Sequence, residues 1–142
     1  MYHNILLPVN GTESSDSAIP HALKIAKDND ATVHALCTYT REEGYEGALS
    51  VGTAKRREGR LKERAEAIVA EVKEQADEEG VDCLPVVQSG DPTEVLLDYI
   101  DDEEIDVVVI GARKRSPTGK LLFGSMTQSL ILHADIPVMV TG

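Results

Sequence analysis

Apolar residues fall along this chain in two alternating patterns. Short runs that are apolar at nearly every position read as strands buried on both faces: "NILLPV" at 4–9, "ATVHALCTY" at 31–39, "VDCLPVVQ" at 81–88, "IDVVVIG" at 105–111 and "IPVMV" at 136–140. Between them the apolar positions recur at the helical period. Ala18, Ala22 and Ile25 give a first stripe, with a helix start near Ser15 to Ser17 that leaves Pro20 in the first turn, where its missing N–H is not needed. Leu61, Ala65, Ile68, Val72 and Ala76 mark the buried face of a long helix over roughly 54–78. Asp91 caps a third helix, with Pro92 at its first position and Glu94 bonding back to the cap; Ser125 and Gln128 form a second capping box for a helix to about 133.

Strand and helix therefore alternate from end to end, with crossovers long enough to return each strand parallel to the last. The pattern predicts one domain over residues 1–142, an α/β fold with a doubly wound, Rossmann-like five-stranded parallel sheet and helices on both faces. Ligands of such sheets bind outside the carboxyl ends of the strands, where strand order reverses. The segments that can reach that point are 10–17, 40–55, 89–91 and 111–125.

Composition narrows the function classes. With no Trp and one Phe, the core must be built from Val, Ile, Leu and Ala. The excess of 25 acids over 14 bases, a formal charge of −11, repels nucleic acid and anionic membranes and suits solubility in a salty, halophile-like cytoplasm. No segment has the pattern of a signal peptide and no apolar run approaches the roughly 20 residues of a membrane span, so a cytoplasmic protein is expected. Cys37 and Cys83 lie in strand-like runs without close partners and read as buried reduced thiols. His3, His21, His34 and His133 show no ligand spacing and are assigned to surface or boundary positions.

Charge is also distributed unevenly. Ten of the 14 basic residues fall in two segments, Lys55 to Arg64 and Arg113 to Lys120. The first reads as a solvated helix face. The second, within "GARKRSPTGKLLFGSMTQSL" at 111–130, combines bases, glycines and a helix start, a combination suited to an anion such as phosphate. It is not a Walker A loop, because Gly119-Lys120 is preceded at the required spacing by Lys114 and followed by Leu121. Nor does the first strand lead into G-x-G-x-x-G, since "VNGTESS" holds only Gly11.

From "ILLPVNGTESSDSAIPHAL" through to "VVVIGARKRSPTGKLLFGSMTQSLILHADIPVMV" the chain resembles the universal stress protein family, within the adenine nucleotide alpha hydrolase-like architecture. Nucleotide-binding members carry Gly, two residues, Gly, nine residues, then Gly and Ser or Thr. Here Gly111 and Gly124-Ser125 keep that spacing, and Lys114 replaces the second glycine, where a left-handed backbone would cost about 1 to 2 kcal/mol. The resemblance implies ATP with its phosphates along Gly111, Ala112, Arg113, Lys114 and Ser116, and along Gly124, Ser125, Met126 and Thr127. It further implies Pro8, Val9 and Asn10 on the ribose and adenine side, with the base against Cys37 and Thr38. Asn10 stands where nucleotide-binding relatives have Asp, which removes a charge and keeps an acceptor and a donor.

These implications lead to a stress-response regulatory protein binding ATP or a related adenine nucleotide, with Mg2+ or Mn2+ bridging the phosphates, and forming a homodimer through the C-terminal strand. Its protein partners are unknown. No nucleophile paired with a base, metal triad or carboxylate dyad stands out, so binding is expected and catalysis is not; slow ATP hydrolysis by positioned water is compatible with this reading but is not expected as a physiological activity. The alternative is a dimeric interaction module whose nucleotide site is vestigial. An ATP-cleaving enzyme of the wider superfamily would carry a serine-glycine-glycine turn after the first strand, where this chain has Asn10-Gly11-Thr12.

Overall fold

The five predicted apolar runs form one parallel sheet. The structure, a computed structural model, describes residues 1–40, 51–112, 114–115 and 121–142. Its sheet consists of β1 (Asn4–Pro8), β2 (Thr32–Tyr39), β3 (Asp82–Ser89), β4 (Val107–Gly111) and β7 (Val138–Thr141), in the spatial order β3-β2-β1-β4-β7. Each observed strand starts one or two residues inside or ends within a residue or two of the expected run. The chain steps outward from β1 to β2 and β3, then returns to the other side of β1 with β4 and β7. Strand order thus reverses between β1 and β4.

Alternation along the strands divides the core. Ile5, Leu7, Val33, Ala35, Cys37 and Val109 face α2 (Ile19–Asn29) and α3 (Val51–Glu78), while Leu6, Leu36, Val108 and Ile110 face α4 (Pro92–Asp102) and α5 (Ser125–His133). Both faces are covered by helices, as a doubly wound sheet requires. Among the described residues of α3, Ala65, Val69, Val72 and Ala76 are buried, so its apolar stripe follows the expected period, with Leu61 and Ile68 half-buried. Both cysteines are buried and free, and burial pushes both thiols up, against the pull of Arg64 at Cys37 and of Lys73 at Cys83.

Three local expectations are corrected. The helix expected from Ser15 onward is two helices, α1 (Glu13–Asp16) and α2, separated by a turn at 17–18. Pro20, at the start of α2, has no N–H to bond back to the carbonyl of Asp16, so one continuous helix would lose that bond. The stretch after β4, expected to be loop throughout, contains the two-residue strands β5 (Lys114–Arg115) and β6 (Leu121–Leu122), paired antiparallel with Lys114 opposite Leu122. Lys114 therefore sits in extended backbone, and no left-handed conformation is demanded of it.

The third correction concerns His34, which is 3% exposed instead of lying at the surface. It occupies β2 on the face toward α4. Its Nδ1 lies 2.6 Å from the Tyr99 hydroxyl and its Nε2 lies 3.1 Å from Asn4 Oδ1. If Nε2–H donates to the amide oxygen, Nδ1 accepts from the Tyr99 hydroxyl, and the neutral ring is satisfied at both nitrogens. Burial lowers the histidine pKa from its ordinary value, partly opposed by Glu103, and burial together with Glu103 pushes the Tyr99 phenol up to about 12. His3, His21 and His133 are exposed as expected.

Candidate functional site

A cavity of about 680 Å3 opens at the carboxyl ends of β1 and β4, the point where strand order reverses. Its floor is apolar: Val9 and Leu36 from the sheet, Leu96 from α4 and Ile110 from the end of β4. Its rim is polar: Asn10, Thr12, Thr38, Ser125 and Thr127. Among the described residues that line it there is no charged side chain. An apolar slot ending in a few convergent hydroxyl, amide and backbone groups is the usual form of a small-molecule site.

The wall beyond β1 is made by a tight turn. Gly11 adopts φ +82°, the left-handed region that favours glycine, and turns the chain into α1. Thr12 caps α1 by accepting the Ser15 N–H at 3.2 Å, and Ser15 Oγ accepts the Asn10 N–H at 2.9 Å. The helix then lies against the end of β4 so closely that a Cβ at Gly111 would run into the Ser14 carbonyl. Gly111 is therefore required for the approach of two backbones. A further link joins this wall to the sheet edge, because the Ser17 and Thr141 hydroxyls are 3.1 Å apart.

The opposite wall is the first turn of α5. Its cap residue is Gly124, which supplies no side-chain bond, and Ser125 is the first helical residue; the expected capping by Ser125 is corrected accordingly. Gln128 instead turns its Nε2 to the Phe123 carbonyl at 3.1 Å. Gly124, Ser125, Met126 and Thr127 all line the cavity, so the uncapped N–H groups of this helix lie at its edge. Unpaired amides at a helix start carry partial positive charge and can hold an anion.

The structure brings together Pro8, Val9, Asn10, Thr38, Gly111, Gly124, Ser125, Met126 and Thr127 around one cavity. Ala112 lies just behind it, buried, with its N–H on the Thr141 carbonyl at 2.6 Å. Arg113 and Ser116 lie outside the described residues, and Lys114 is placed by its backbone in β5. Cys37 is corrected: it faces α3, and Leu36 with Thr38 takes the place expected of it. The basic residues of α3 do not line the cavity, because that helix covers the other face of the sheet. Sequence reasoning marked the segment 10–17 without singling out Thr12, Ser14 and Ser15, and it missed Leu36, Pro92, Leu96 and Ile110. Period-two alternation picks out Leu36, and the Asn10-Gly11-Thr12 turn signal points to the first three.

The fold and the position of the cavity define a Rossmann-like α/β protein of the doubly wound class. More particularly, the chain belongs to the universal stress protein family, whose family model matches residues 1–142. It is 28% identical over 140 residues to universal stress protein MJ0531 of Methanocaldococcus jannaschii, covering 99% of this chain and 82% of that one. Its fold superposes on universal stress protein UspA from Lactobacillus plantarum with a TM-score of 0.86 at 23% identity, covering 99% and 98% of the two chains. A universal stress protein family member from Arabidopsis thaliana with AMP bound gives a TM-score of 0.73 at 19% identity, covering 97% and 90%.

Proposed function

We propose that the protein binds an adenine nucleotide, ATP or a relative of it, in the cavity between β1 and β4, and acts as a regulator whose contacts change with occupancy. The observation that carries this reading is the pairing of an apolar slot with the uncapped start of α5. The slot suits a planar base, and the helix start suits phosphate. The bases at Arg113, Lys114 and Arg115 come one residue after β4 in sequence, and a divalent cation, if bound with the phosphates, would supply charge neutralisation there. The AMP held by the Arabidopsis relative supports the same ligand class. The reading is of binding in the cytoplasm, not turnover: the described lining offers hydroxyls, one amide and backbone N–H groups, and no side chain with the basicity to take a proton from water.

The test is to denature the purified protein, run the supernatant by ion-pair chromatography, and titrate stripped protein calorimetrically with ATP and magnesium. Co-purified adenine nucleotide or micromolar affinity is the expected result. No nucleotide and no heat at millimolar ATP would overturn the reading.

A second reading rests on the sheet edge. β7 is an edge strand with Met139 exposed on the α2 and α3 side of the sheet, and α5, which covers the other side, exposes Ile131 and Leu132, Leu132 at 75%. An open strand edge beside apolar side chains invites a second copy to pair with it. The proposal includes a homodimer through β7, an arrangement that would serve an interaction module whether or not nucleotide binds. Light scattering at micromolar concentration is expected to give twice the 15.4 kDa chain mass. A single-chain mass would remove the dimer.

A further inference from the structure

Asn10, at the rim of the cavity, has hydrogen bonding that leaves no freedom of assignment. Its Oδ1 accepts the Thr12 N–H at 3.0 Å and the Thr12 hydroxyl at 2.7 Å. A backbone N–H can only donate, so the amide oxygen and not its nitrogen must face Thr12. The one proton of the Thr12 hydroxyl goes to Asn10, because the amide oxygen has no proton to give, and the same hydroxyl oxygen accepts the Ser15 N–H. The Asn10 backbone N–H is also taken, by Ser15 Oγ. Both lone pairs of the amide oxygen are therefore filled. What the side chain can offer a ligand is Nδ2, with two N–H donors and no partner among the described residues.

Resting on the adenine-nucleotide reading above, we infer that Asn10 makes the sugar side of this site a donor surface. It selects nucleotides whose ribose carries a phosphate ester on its 3′ oxygen over nucleotides with a free 2′,3′-diol. A diol brings two O–H protons that need acceptors. A carboxylate at position 10 would supply one, since one oxygen could serve both Thr12 donors and leave the other for the sugar. The saturated amide cannot, and no carboxylate lines the described cavity. An esterified 3′ oxygen and its phosphoryl oxygens only accept, so they match the Nδ2 donors and meet no negative charge. The same chemistry is shared by a 3′,5′-cyclic phosphate and an open 3′-phosphate.

The test is calorimetric titration of the full chain, wild type and Asn10→Asp, with AMP, 3′,5′-cyclic AMP and adenosine 3′,5′-bisphosphate at equal ionic strength. Wild type is expected to bind at least one of the two esterified nucleotides about tenfold or more tightly than AMP, and the aspartate variant to shift that ratio toward AMP by about tenfold or more. Which esterified form binds better separates the cyclic from the open source. A wild type that prefers AMP, or a ratio unchanged in the variant, overturns this inference and leaves nucleotide binding standing. Absence of binding by all three overturns this inference, and the ATP titration described above decides the nucleotide reading itself. Thermal unfolding checks that the variant is folded; if it is not, the wild-type ratio alone decides.

Discussion

Gly111→Ala is expected to destabilise the protein by about 3 kcal/mol, at the upper end of overpacking penalties, and to weaken any ligand of the cavity with it. The added Cβ would fall within bonding range of the Ser14 carbonyl and 3.2 Å from Ser15 Cα. These are backbone atoms, which cannot rotate aside as a side chain could. Either α1 retreats from β4, opening the cavity wall, or β4 shifts and disturbs its pairing with β1 and β7. Urea denaturation gives the first effect and calorimetric titration the second. Gly59→Ala is the contrast: its Cβ meets nothing within 4 Å and the residue lies inside α3, so alanine should stabilise by about 0.5 to 1 kcal/mol. A Gly111→Ala protein within about 0.5 kcal/mol of wild type would show that α1 yields without cost, and the wall would then be soft.

His34→Leu is expected to cost about 2 to 3 kcal/mol at pH 7.5, because the Tyr99 hydroxyl, on a residue 7% exposed, would lose its buried partner. Tyr99→Phe in the same chain should recover about 1 kcal/mol or more, since removing both partners leaves less unsatisfied than removing one. The pair also makes stability depend on pH. The native histidine pKa is lowered, so the unfolded chain binds a proton that the folded chain does not. The stability contributed by the neutral ring is complete above the unfolded pKa of about 6.5 and falls as pH drops below it, by up to about 1.4 kcal/mol per unit, until the folded pKa is reached. Denaturant curves at pH 7.5, 6.5 and 5.5 should show this slope in wild type, and His34→Leu should remove it. An identical slope in both would move the titration to another group.

The sheet was legible because burial on both faces leaves runs such as "VVVI" at 107–110 that no amphipathic helix would carry. The helical stripe of α3 was legible for the complementary reason, one buried face on a long polar helix. What sequence reasoning missed are properties that arise only between elements. Nothing local at Gly111 shows that Ser14 will press against it. His34 reads as polar and hence superficial until Tyr99, 65 positions away, is packed over it. At the cavity, the family resemblance points to the strand end near Cys37 and Thr38, although alternation assigns residues 36 and 38, and not 37, to one face. Ser125 satisfies the capping pattern as well as Asp91 does, yet Asp91 accepts the Glu94 N–H while Gly124 takes the cap position of α5. The choice between those outcomes depends on how the chain enters the helix.

α1 has only four residues, too few for an isolated helix to persist. It is held by the Thr12 cap, the Ser15 bond to Asn10, the contact at Gly111 and the Ser17 link to Thr141. Releasing these few contacts costs far less than unfolding the sheet, so this turn is the natural unit of local opening. A ligand could then enter and leave by peeling back one turn of backbone while all five parallel strands stay paired. Residence time at the site and global stability would be separate quantities, the first set by the hinge around Gly11 and the second by the core beneath it.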